Sequence, residues 1–413
     1  MTAIGLAATT RTPPAALDPA LPELAEALDT MAVAARFEHR WPVPGPPPSL
    51  RACSLQHARW HPGVGCVATY ELDISTAVGE PATTIGAVIV DATGVRHRLF
   101  TQDEDLPGLK VATDAVSMAG WFSARLHRQV DTCKVTPVRY RSGTRCVIRY
   151  DAGGRDNIFY GKVVAPQRFP ALSTALSELA EGLVPAIVGF AAEAHLVVQA
   201  DAGQPSLAGR SLEPGAAGLL DDLRACGELL HRLHSSAGPG GSVRSMAGDA
   251  DALDGYLGAA AAVAPSSAAA IEQGIDQLRT YAQQTRPTVP SHGAFRLDQV
   301  HVAPDPVLID LDSYCWAEPE RDIGNLFAYL RWRVIRGAAS SRSVAEARRA
   351  FLSGYASPTR TPLDPDRLRA FEAASLLKIA GRRYRSLAVD EWPRVPTLIE
   401  AAREQLRAGA GRR

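Results

Sequence analysis

The chain has 413 residues, 46% of them hydrophobic and 21% charged, with 44 basic residues balancing 44 acidic ones. That length predicts two or three domains with full apolar cores, and the charge balance excludes a dominant electrostatic pull toward nucleic acid. The apolar runs are broken by charge before bilayer length, and six cysteines without a CxxC pair predict reduced, buried thiols in a cytoplasmic protein without a secretory leader.

Proline-rich stretches at 11–22 and 41–49 flank Leu21–Phe37, where leucine and alanine recur at helical intervals. Beyond them, Arg59–Tyr70 matches Arg139–Tyr150 at a constant offset of 80 residues. Each copy reads as a strand, a tight glycine turn and a second strand. Further β-rich runs follow at Ile85–Val90 and Asn157–Val164. The expectation is a three-stranded antiparallel meander used twice; the other account is two unrelated hairpins sharing turn chemistry.

After Val164 the period changes. Phe169–Leu183 is helical, and Ala186–Phe190 and His195–Gln199 are short strands. Asp201–Leu207 is a polar hinge, after which helices dominate: Leu219–Leu233, Ala250–Val263 and Ala268–Gln283. A Pro304-Asp305-Pro306 turn precedes helices at Arg321–Arg336, Ser343–Tyr355, Pro365–Ser386 and Pro396–Ala408. The alanine-rich run 259–271 is interrupted by Pro265, so it marks one helix ending and another beginning. This pattern divides the chain into an N-terminal helix and linker (1–49), an additional β-rich module (50–129), a β-rich lobe (130–200) and a helical lobe (201–413).

Several polar residues stand in apolar settings. Lys162, inside Ile158–Val164, must snorkel or meet an anion such as a nucleotide phosphate. A helical carboxylate, Glu178 or Glu181, is its expected partner. The Ser142-Gly143-Thr144 turn offers backbone amides to anionic oxygens. Gln199 begins the connector whose backbone would face a nucleobase. Asp310 and Asp312 lie at i and i+2 after Val307-Leu308-Ile309, and on a strand they would share a face. Their oxygens, with the amide oxygen of Gln299, suit magnesium. His292 fits a loop-fixing or catalytic role, Asp298 a metal, hydroxyl or Arg296 contact, and Asp322 a helix-start carboxylate that braces a loop.

These residues resemble the aminoglycoside phosphotransferase and choline kinase family. The family's His-Gly-Asp, four positions, Asn loop appears as His292-Gly293-Ala294 through Gln299, and its Ile-Asp strand as Ile309-Asp310-Leu311-Asp312. The resemblance implies an α+β, bilobal protein-kinase-like fold that binds ATP and Mg²⁺ between its lobes and phosphorylates a hydroxyl. Lys162 matches the family's nucleotide lysine. The family's base falls at Ala294 and its asparagine at Gln299, so Asp298, Asp312 and His292 are the remaining catalytic candidates. Two functions stay open: a kinase acting on a small-molecule or peptide hydroxyl, and a nucleotide-binding pseudokinase or scaffold with a protein partner on its N-terminal module. Arginines concentrated in 330–386 suit an anionic or neutral acceptor better than a polycation.

Overall fold

The computed structural model describes residues 17–41, 48–75, 81–154, 157–179, 181–203, 206–209, 212, 218–282, 286–302, 306–356 and 362–410. The proline-rich start of the chain, the Pro42–Pro47 linker, Gln204-Pro205 of the hinge and Pro304-Asp305 lie outside the described residues. The chain forms two compact units. The first runs to Pro170 and adds Ile187–Asp201 and Arg383–Trp392; the second takes Ala171–Ala186, Ala202–Arg382 and the chain from Pro393.

The first unit begins with α1 (Leu24–Leu28) and α2 (Thr30–His39), then β1 (Ser49–His61), β2 (Gly65–Ser75), β3 (Pro81–Asp91) and β4 (Gly94–Leu99). These four strands pair in chain order as an antiparallel sheet. Next come α3 (Leu109–Ala112), α4 (Ala115–Leu126), β5 (Lys134–Arg141), β6 (Arg145–Asp151) and β7 (Ile158–Val164). After α5 (Phe169–Glu178), β8 (Ile187–Ala191) and β9 (Leu196–Ala200) complete a second sheet ordered β5-β6-β7-β9-β8. The single helix expected over Leu21–Phe37 is two, because the Asp29 side chain accepts the Met31 and Ala32 amides and starts a new helix there.

The two matched hairpins are braced in the same way, and the likeness extends beyond the matched strands. In each copy a glycine with positive φ, Gly63 (70°) or Gly143 (67°), forms the hairpin turn. Its N–H donates to a carboxylate from an earlier segment: Gly63 to Asp18 Oδ2 at 2.9 Å, Gly143 to Asp103 Oδ2 at 2.8 Å. An aromatic donor from the preceding strand joins each one, Trp60 Nε1 at 2.9 Å or the Tyr140 hydroxyl at 2.6 Å. The chain then runs from each aspartate through a pair of helices, and a strand tyrosine closes the unit. Tyr70 donates to the Ala27 carbonyl at 2.6 Å, Tyr150 to that of Ala112 at 2.8 Å. Asp-x-x-Leu-Pro-x-Leu occurs at both Asp18 and Asp103, so the shared pattern takes in a helix pair as well as a meander. The sequence pattern missed α3 and α4 because the first is a single turn and the second mixes Gly120 with small side chains.

The copies differ at one telling position. Val147 of β6 pairs with Lys162 of β7, whereas Val67 of β2 pairs with Ile89 of β3. The first copy is therefore apolar where the second carries the lysine. Ile85 and Ala87 of the first sheet share a core with Phe122, Tyr140, Cys146 and Tyr150, so the two copies fold as one body.

The second unit holds α6 (Leu219–Ser235), β10 (Val243–Arg244), α7 (Met246–Asp254), α8 (Leu257–Val263) and α9 (Pro265–Tyr281). It continues with β11 (Val289–Ser291), β12 (Val300–His301), β13 (Val307–Leu308) and β14 (Cys315–Ala317). The last elements are α10 (Pro319–Ile335), α11 (Ser341–Tyr355), α12 (Pro365–Arg385), whose last turn enters the first unit, and α13 (Val395–Ala410). The helix expected over Ala250–Val263 breaks at Gly255-Tyr256. Two small sheets, β10-β14-β11 and β12-β13, carry the loops of interest. All six cysteines are buried and unpaired, and among the described residues no helix is long and apolar enough to cross a membrane.

If Asp18 and Asp103 are equivalent braces, Asp18→Ala and Asp103→Ala will each lower urea stability by about 1–3 kcal/mol, the cost of stranding buried donors. A neutral Asp18→Ala beside a damaging Asp103→Ala would show that the copies are braced differently.

Candidate functional site

The loop from His292 to Gln299 joins β11 to β12, and β13 leads directly into Ile309 and Asp310. Its first residues are buried, so their polar backbone groups need partners within the protein. Asp322, in the first turn of α10 and fully buried, supplies them. One carboxylate oxygen accepts the His292 N–H at 2.7 Å and the other the Gly293 N–H at 2.9 Å. The same helix pins two loop carbonyls: Arg321 donates to Gly293 at 2.8 Å and Asn325 to Phe295 at 2.8 Å. Gly293 has φ +79°, and a Cβ there would lie 1.9 Å from the Ser313 carbonyl oxygen, so no other residue fits without displacing backbone.

Burial pushes the Asp322 carboxyl up, but the His234 hydrogen bond and the charges of His234, His292 and Arg321 outweigh it and hold the group below its ordinary range. His234 reaches Asp322 through Nε2 at 3.3 Å and Tyr355 through Nδ1 at 2.8 Å. Arg321 is itself fixed by Asp249, at 2.5 and 2.8 Å.

His292 ties the loop to the acidic segment. Its ring Nε2 lies 2.9 Å from the Ile309 carbonyl, while the Ile309 N–H donates to the Gln299 carbonyl at 3.0 Å. Both backbone groups of Ile309 are thus clamped, which sets Asp310 beside Gln299. The strand geometry expected for the two aspartates is corrected here. Strand pairing stops at Leu308, Asp310 is left-handed at φ +65°, and Asp312 sits in a single 3₁₀ turn, Leu311–Ser313. Two consecutive backbone reversals replace the alternating pleat, so the i, i+2 rule does not apply. A left-handed aspartate is uncommon but tolerated.

Gln299 is 3% exposed, so its side-chain amide lies inside the protein. Gln299, Asp310 and Asp312 bring oxygen donors of the kind magnesium takes into these two joined segments. Ala294 is partly exposed, and Asp298 pairs with Arg296 at 2.9 Å.

The other candidates lie elsewhere. Lys162 is on β7, the middle strand of its sheet, flanked by Val147 and Val197. Gln199 is within β9, paired with Tyr160 and Ile187, just before the chain leaves the first unit at Asp201. In the Ser142-Gly143-Thr144 turn two amides are already used: Gly143 donates to Asp103 and Thr144 to the Arg141 carbonyl at 2.9 Å. Ser142 accepts from Arg98 at 2.9 Å. Glu178 ends α5 within the second unit. There, burial first and then Cys315 and Glu178 push the Tyr314 hydroxyl up to about 12. Glu181 follows in a turn. Sequence reasoning missed Asp249, Asn325 and the His234 link, which only the meeting of α6, α7 and α10 creates. It singled out Asp322 as a loop brace, and the carboxylate serves as one.

The phosphotransferase enzyme family (APH) matches residues 164–404. Choline kinase from Cryptosporidium parvum superposes with a TM-score of 0.54 at 10% identity, covering 71% of this chain and 96% of that one. Choline kinase from Streptococcus pneumoniae gives 0.48 at 13%, covering 70% and 98%. An aminoglycoside phosphotransferase from Streptomyces rimosus gives 0.42 at 21%, covering 63% and 97%. Comparison with curated proteins gives no match. The first of these structures shows that the fold is shared.

The depressed Asp322 carboxyl gives stability that is complete above the unfolded value of about 3.9 and is lost as pH falls through the lower folded value. Asp322→Asn should therefore unfold more readily at neutral pH and lose part of the acid-induced fall below about pH 4. A variant whose stability falls in parallel with the parent through that range would contradict the assignment.

Proposed function

The chain belongs to the phosphotransferase enzyme family, and from that premise we propose that it transfers the γ-phosphoryl group of ATP to a hydroxyl of a small molecule or peptide. The observation that carries this reading is the pre-set loop pair. Asp322 and His292 fix the loop against the acidic segment, and the Ile309 N–H bonded to the Gln299 carbonyl brings the backbones of Gln299 and Asp310 together. Asp310, Gln299 and Asp312 would hold Mg²⁺, which neutralises phosphate charge when bound. Lys162, on the central strand of the first unit, would hold nucleotide phosphates, and the strand end at Gln199 would lie along the base.

Ala294 leaves the proton of the acceptor hydroxyl without the carboxylate that the family places there. Phosphoryl transfer depends mainly on positioning and charge neutralisation, so the loop retains the larger part of the machinery. Asp298, paired with Arg296, would take that proton, or Asp312 where it does not hold the metal. His292 is fully buried with its Nε2 against a carbonyl, a loop-positioning placement. The Ser142–Thr144 turn contributes through what it leaves free of Asp103 and Arg141.

Mg²⁺-ATP should raise the melting temperature of the parent protein and Asp310→Ala should abolish the shift. Slow ADP formation is expected in the parent, with Ala294→Asp raising the rate by about 10²-fold or more. ATP binding without turnover in either protein would favour a nucleotide-binding scaffold, the reading that Ala294 itself motivates. No ATP-dependent shift at all would remove both.

A further inference from the structure

Beside Gly293 the second unit holds a small pocket of about 60 Å³, room for a compact polar group of a larger ligand. Its wall brings together Arg244 of β10, Asp249 of α7, Tyr256 of the α7–α8 turn, Arg321 of α10 and Lys378 of α12. Asp249, the carboxylate of this wall, is already held by both arms of Arg321. One turn beyond Lys378, Arg382 is held by the hydroxyls of Tyr256 and Tyr329, each at 3.3 Å. Lys378 has no hydrogen bond or ion pair among the described residues. The wall thus carries more positive charge than its acid cancels.

We propose that this pocket receives the acceptor through an anionic group, a carboxylate, phosphate or sulfate, bound by Lys378 and Arg244, with the reacting hydroxyl on the Gly293 side. The proposal rests on the phosphotransferase reading and names its substrate class. It also accounts for the electrostatics of the wall. Burial, then repulsion from Arg382, Arg321 and Arg244 against attraction from Asp249, pull the Lys378 amine down to about 7. An anion beside it favours the ammonium form, so binding takes up a proton and weakens as pH rises through that value.

Calorimetric titration with sodium sulfate, whose charge is constant from about pH 6 to about pH 9, reads this directly. The full-length parent should bind sulfate at least about tenfold more weakly at the upper pH. Lys378→Met should lose the binding, and Lys378→Arg should keep it while losing the pH dependence. In thermal shift, glycerate should stabilise the parent more than glycerol does, and ethanolamine should not stabilise it. Sulfate affinity unchanged by Lys378→Met, or ethanolamine stabilising more than glycerate, would overturn the proposal. Mg²⁺-ATP binding to the parent, measured alongside, separates the two failures. Its absence would refute the phosphotransferase reading, while the sulfate series would still decide whether the pocket selects anions.

Discussion

A single buried carboxylate sets the order of the helical unit. Two adjacent amides, those of His292 and Gly293, point into the protein where no water can satisfy them, and Asp322 accepts both. Burying that charge is unfavourable in itself, and the structure offsets the cost with His234 on one side and the Arg321–Asp249 pair on the other. Because Arg321, Asp322 and Asn325 all project from the start of α10, one helix fixes three points of the loop at once. His292 then passes the constraint on to Ile309, and so to Asp310.

Much of this was written locally in the sequence. The loop and acidic segment stand out because polar residues occur at fixed spacing in apolar surroundings, and the helical half follows from its period. The two meanders follow from turn chemistry shared by Pro62-Gly63 and Ser142-Gly143. What period and propensity could not show is what depends on capping and on meetings between distant elements. Asp29 splits a continuous apolar stripe by accepting two amides. Asp310 adopts a left-handed conformation that no pattern of alternation encodes. Asp249 and His234 are ordinary helical residues until α7 and α6 pack beside α10. The Asp-x-x-Leu-Pro-x-Leu runs at Asp18 and Asp103 were legible but lay outside the strands being compared.

The two matched meanders share a scaffold and differ in their chemistry. Both copies retain the buried aspartate, the glycine turn and the tyrosine that reaches a helix carbonyl. Only the second has a lysine on its third strand; the first has Ile89 in the matching register. Packing selects the first set of residues in both copies, whereas a ligand would act on the lysine of one. A similar sorting applies to the arginines of the helical unit. Arg342, Arg348, Arg367 and Arg369 are matched to Glu346, Glu372, Glu318 and Asp366. The density of arginine in the sequence therefore overstates the charge available to a ligand.

Hydrogen–deuterium exchange of the ligand-free protein measures the central constraint most directly. If Asp322 is what holds these two amides, those of His292 and Gly293 will exchange slowly in the parent. In Asp322→Ala they will exchange orders of magnitude faster, with β5–β7 of the first unit unchanged. Equal protection of these two amides in both proteins would contradict the account.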